Sequence, residues 1–272
     1  MSTYTTVPRR AIGCCFAVEL DDAELGAYLD GLFAALPRVD RADTTIGLTG
    51  ARGCYTLAIG DETVLDDAEL FAVVNRLVQR LNALATASPG FVCAHASGVA
   101  RDGAAYVFPA HMESGKTTLA AGLVRAGFDY LTDEAVAFDP ATALIEPYPK
   151  PLSLDPGSWP LFPEAEPDPA LRHGAALDQW QVPVATLRAD AIGTPCPARF
   201  VVFPEYRADA VTEFVPMTRG EALVELARNT FAFNEQGRFA LDALAEVVRG
   251  AECGRMTVGT LAAAIACIEE LG

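Results

Sequence analysis

The residues Gly115-Lys116-Thr117-Thr118 have the types and spacing to hold a phosphate. They belong to a segment that reads as a strand (Ala104–Phe108), a tight loop and then an amphipathic helix, the context in which the pattern G-x-x-x-x-G-K-[ST] acquires meaning. Backbone N–H groups at such a helix start face phosphate oxygens, Lys116 offers a point charge to the outer phosphates, and the Thr117 hydroxyl can hold Mg²⁺. The loop itself, Ala110-His111-Met112-Glu113-Ser114-Gly115, departs from the pattern at its first glycine, where Ala110 stands, and again at Glu113. A side chain held at positive φ in either place costs about 1–2 kcal/mol. The Glu113 carboxylate repels phosphates unless it turns away, joins the metal shell or helps accept a proton. The alternative to a binding loop is a chance Gly-Lys-Thr in a strand-to-helix turn.

Sixteen residues beyond Thr117, the apolar stretch Phe128–Phe138 is interrupted by Asp133-Glu134. Adjacent carboxylates on a strand point to opposite faces, so the pair predicts a strand end beside the loop. One acid there can hold Mg²⁺ while the other accepts a proton from an attacking hydroxyl, as phosphoryl transfer requires. Taken alone, the pair reads as an acidic turn, and His95 alone as a core histidine. Lys150 and Arg172 are cations that could close over phosphates, or simply solvated charges.

These residues need a scaffold, and the composition supplies one. The chain has 272 residues, 51% of them hydrophobic, which is enough for one substantial core or a core plus a satellite unit. Its formal net charge is −16, with no dense block of Lys and Arg, which argues against a nucleic-acid partner. The seven cysteines are an odd number without a C-x-x-C pair, so they read as mostly buried small hydrophobes in a reducing cytoplasm. Ala11-Ile12-Gly13-Cys14 superficially matches a lipoprotein cleavage box, but the apolar stretch before it is too short for a signal segment. No apolar run reaches bilayer-spanning length, so no membrane partner is expected and the expectation is a soluble, cytoplasmic protein.

Strands are predicted at 11–20, around 46–48 and 55–59, at 91–95, 96–101, 104–108, 128–138 and 201–203. Helices are predicted after Asp21-Asp22, after Asp66-Asp67, after the Gly115 loop, over 219–229 and 237–248, and near the C-terminus. The hexapeptide LDDAEL occurs at 20–25 and 65–70 and reads as two similar helix caps. Ser88-Pro89-Gly90 marks a boundary between a small N-terminal α+β domain, 1–88, and a nucleotide-binding domain, 89–272. The proline-rich stretch 147–169 excludes long helices and reads as a lid, a wrap or a linker.

The run HASGVARDGAAYVFPA followed by SGKTTLAAGLVRAGFDYLTDEAVAF resembles the catalytic domain of HPr kinase/phosphorylase and its smaller bacterial relatives, which share a phosphoenolpyruvate-carboxykinase-like core. The likeness covers roughly residues 93–160 and continues more weakly through PYPKPLSLDPGSWPLF and NTFAF. It implies an α/β fold with a phosphate-loop core of the HPr kinase C-terminal type, Mg²⁺ and ATP, and a peptide, protein or small-molecule phosphate acceptor. It also implies roles: residues 110–118 cradle the nucleotide, Asp133 is the base toward a seryl hydroxyl, and Thr117 and Glu134 hold the metal, with His95 and Lys116 completing the site. The family often assembles into oligomers, and small relatives occur in pathways for ribosomally made peptides. Glu134 replaces the family's second aspartate, and the later signature that couples kinase to phosphorylase activity is missing, so HPr itself is not the implied acceptor. A free-serine type kinase and a weakened nucleotide-binding switch or scaffold are the other readings.

Overall fold

The computed structural model describes residues 3–51, 54–111, 114–167 and 179–272. The chain divides into two compact units, Met1–Ser88 with Lys150–Thr186, and Pro89–Pro149 with Leu187–Gly272. Both are mixtures of helix and sheet, so the protein is α/β in the general sense. The segment 150–186, expected within the second domain, groups with the first.

In the first unit the strands β1 (Tyr4–Thr5), β2 (Arg9–Ala11), β3 (Cys14–Leu20), β4 (Thr44–Ala51), β5 (Cys54–Ile59) and β6 (Glu62–Ala68) form a six-stranded sheet. Helix α1 (Ala23–Leu32) joins β3 to its parallel neighbour β4, and Asp22 caps it by accepting from the N–H groups of Glu24 and Leu25. The expected single strand at 11–20 is broken by a turn at Ile12, whose φ is 56°. The second LDDAEL does not cap a helix. Its residues 65–68 belong to β6, paired antiparallel with β5, and α2 (Leu70–Thr86) starts only after Glu69, which makes no side-chain cap bond. Pairing with a neighbouring strand has overridden a local helix signal.

The second unit opens with β7 (Val92–Arg101), one continuous strand where two were expected, and turns into β8 (Ala104–Pro109). Asp102 and Gly103 have φ of 53° and 74°, the positive pair that a two-residue hairpin turn demands. Then follow α3 (Lys116–Arg125), β9 (Asp129–Thr132), β10 (Ala135–Asp139) and β11 (Leu144–Glu146). The excursion to the first unit carries β12 (Leu152–Leu154) and β13 (Trp180–Val182), paired antiparallel. It is tied to α2 by Asn75, which donates to the Gln179 carbonyl at 3.0 Å and accepts from Gln181 at 3.1 Å, and by the Phe71 and Trp180 rings 5.1 Å apart. These bonds explain why 150–167 and 179–186 group with the first unit. Arg172 lies outside the described residues.

The chain completes the second unit with β14 (Ala198–Tyr206), β15 (Glu213–Pro216), α4 (Arg219–Arg228), α5 (Phe233–Gln236), α6 (Arg238–Gly250), β16 (Glu252–Val258) and α7 (Leu261–Leu271). The eight-stranded sheet runs β11-β10-β7-β8-β14-β16-β15, with β9 also on β7. At its centre β8, β14 and β16 are parallel. Ala94 and Ala96 of β7 join a core with Leu226 of α4 and Leu244 of α6. Helix α3 packs on β7 and against α7, where a methyl group on Gly122 would come within 2.8 Å of Leu261. The cysteines are less buried than expected: all seven are free, but only Cys93, Cys196 and Cys253 are buried.

Candidate functional site

Strand β8 stops pairing with β7 at the Ala96–Pro109 pair, and the chain leaves the sheet there to form the loop before α3. Within this loop Ala110 is not among the residues with positive φ, so the missing first glycine costs no left-handed strain. Gly115, the residue before α3, does require glycine, with φ of 80° and no side-chain cap for the helix start. A helix leaves its first N–H groups without intrahelical partners, and their partial positive charge favours an anion. Met112 and Glu113 lie outside the described residues. Lys116 is 6% exposed and folds back on its own loop, its Nζ donating to the His111 carbonyl and lying 3.4 Å from Ser114 Oγ. Thr117 and Thr118 follow in the first turn, both half-buried.

Where β8 departs, residues 229–231 take its place against β7. The His95 N–H donates to the Asn229 carbonyl at 2.6 Å, Thr230 bridges Ala94, and the Phe231 N–H donates to the Cys93 carbonyl at 2.8 Å. The sequence places Asn229 at the end of a predicted helix, yet the main chain of 229–231 holds the strand that carries His95. The Phe231 ring stands edge-on to His95 at 5.8 Å.

His95 alternates with Ala94 and Ala96, so it points to the face of β7 opposite their core. Across the strand, Asp133 and Glu134 occupy the break between β9 and β10, both of which pair with β7. The Ala96 N–H donates to the Glu134 carbonyl at 3.2 Å, which fixes this break beside His95. The predicted strand 128–138 is therefore two strands, and the acid pair sits at the strand end expected for it.

His95 Nε2 lies 3.6 Å from Glu134 Oε1, too far for a hydrogen bond. Burial, then the positive charge of Lys116 and then His111 push the His95 pKa down to about 4. The imidazole is neutral at pH 7, so its contact with Glu134 is polar but not an ion pair. Asp133 is 2% exposed, and its Oδ1 accepts from the buried Tyr130 hydroxyl at 2.8 Å. Burial and the adjacent Asp133 hold the Tyr130 phenol well above its ordinary range, so it stays a donor. Sequence reasoning missed Tyr130, because an i, i+3 contact across a strand end leaves no periodic signal.

Among the described residues no cluster of three His, Cys, Asp or Glu side chains could by itself hold a metal. Mg²⁺ rarely uses such a cage, taking one or two carboxylates, waters and substrate phosphates. The oxygen donors Thr117 and Glu134 fit that chemistry, as the helix start and Lys116 fit phosphate. Among the described residues, no helix is long and apolar enough to cross a membrane. No protein-family model matches the chain, and no curated protein matches it either.

Proposed function

We propose that this chain is an ATP- and Mg²⁺-dependent kinase that phosphorylates a seryl or threonyl hydroxyl of a peptide or protein. The observation that carries the reading is that the loop leading to the left-handed Gly115 and Lys116 bonds β7 at the His95 carbonyl, while His95 Nε2 lies 3.6 Å from Glu134 in the break between β9 and β10. Lys116 leaves its loop carbonyl to meet the outer phosphates, and the α3 amides take phosphate oxygens. Bound Mg²⁺, held by Thr117 and Glu134, would neutralise charge on the transferred group. The acceptor oxygen attacks the γ-phosphorus, the bond to the β–γ bridging oxygen breaks, ADP leaves, and the acceptor proton passes to the Asp133 carboxylate. Asp133 is assigned that task as the carboxylate whose Oδ1 the Tyr130 hydroxyl holds in place.

The burial of Asp133 favours a second reading, a nucleotide-binding switch that turns over slowly or not at all. Melting temperatures of wild type and Lys116→Ala with and without Mg·ATP test nucleotide binding. ATP at 100 times its Kd stabilises wild type by about 2.7 kcal/mol and should leave the variant unchanged. If ATP stabilises neither protein, the phosphate-loop reading is wrong. If it stabilises wild type but no ADP or phosphorylated acceptor forms, the switch stands and the kinase does not.

A further inference from the structure

The loop after β8 has different neighbours on its two sides. On one side are β7, β9 and β10 with His95, Asp133 and Glu134; on the other, the carboxyl ends of β14 and β16 open onto a cavity of about 650 Å³. Open α/β sheets bind ligands outside the carboxyl ends of their parallel strands. The cavity is continuous with the loop, since Ala110, His111 and Ser114 line it. Its lining includes Tyr206, 62% exposed, a large side chain left open to solvent at the end of β14.

Among the described residues that line it, the Arg and Glu side chains pair with one another. Arg207 lies 2.9 Å from Glu205, and Arg255 lies 3.1 Å from Glu225. Two guanidiniums matched by two carboxylates make a poor second anion site, and the open Tyr206 ring offers a flat ring a stacking partner. On the kinase reading, the outer phosphates lie at Lys116 beside the acids, so the rest of the nucleotide must run away from them. We infer that the cavity at the ends of β14 and β16 receives the nucleoside end of the bound nucleotide, with its base stacked on the Tyr206 ring. This inference rests on the phosphate-loop reading and adds to it a residue that recognises the base.

Calorimetric titration of the full chain with Mg·ATP and with Mg·tripolyphosphate separates the two ends of the ligand. Tyr206→Ala should weaken ATP binding about tenfold, the worth of one base–aromatic stack, and leave tripolyphosphate unchanged. Tyr206→Phe keeps the ring and should keep ATP affinity. Unchanged ATP affinity in Tyr206→Ala, or equal weakening of both ligands, overturns the nucleoside site while the phosphate loop stands. Failure of wild type to bind either ligand removes the loop reading, and this inference with it.

Discussion

Tyr130 donates to Asp133 inside the fold, leaving that carboxylate oriented but shielded from water. If Asp133 accepts the acceptor's proton, Asp133→Asn should lower phosphoryl transfer by about 10²–10⁴-fold and leave stabilisation by Mg·ATP intact. Full transfer activity in that variant would remove the base assignment. His95 gives a second prediction at this scale. Its folded pKa of about 4 lies below the unfolded value near 6.5, so the unfolded chain binds the extra proton between those values. The contribution is fully present above pH 6.5 and is lost as pH falls through 4. Wild type should therefore lose roughly 1–3 kcal/mol more than His95→Gln between pH 6.5 and pH 4, read by denaturant unfolding. Equal losses would mean that His95 titrates normally.

At the scale of elements, local pattern and long-range pairing divide what could be read in advance. The passage from β8 through its loop to α3 was legible because a strand, a glycine turn and an amphipathic helix all leave short-range signals in residues 104–125. Strand β6 was not, because Glu62–Ala68 carries acids on an exposed edge and its identity comes from pairing with β5. Of the candidate site, the loop and the acid pair could be found from residue types. The support by Asn229–Phe231 could not, since it depends on a distant segment filling the position that β8 vacates. Gly115→Ala tests the turn itself: a methyl group there meets nothing within 4 Å, so only the positive φ is penalised. A stability loss of about 1–2 kcal/mol in thermal unfolding is expected. Thr218 and Glu221 form a reciprocal capping box at the start of α4, the helix that leads into Asn229. Thr218→Ala should cost about 0.5–2 kcal/mol by the same measurement.

For the molecule as a whole, the first unit is discontinuous, with residues 1–88 completed by 150–186. Part of that completion is a buried polar chain in which Lys150 Nζ donates to Ser153 at 3.0 Å, Ser153 donates to Gln181 at 3.0 Å, and Gln181 donates to Asn75 of α2 at 3.1 Å. Gln181→Leu leaves buried polar partners unsatisfied and should destabilise the protein by about 1–3 kcal/mol, measured by urea unfolding. The sequence hid this union because hydrogen bonds between α2 and β13 join residues more than a hundred positions apart. The same discontinuity bears on synthesis. A ribosome that has released residue 88 must still make the 98 residues up to 186 before the first unit can close. At bacterial or eukaryotic translation speeds that interval is roughly 5–20 s. During it, the amino-terminal unit waits with its six-stranded sheet made but without the β12–β13 pair that packs on α2, a natural client for chaperones.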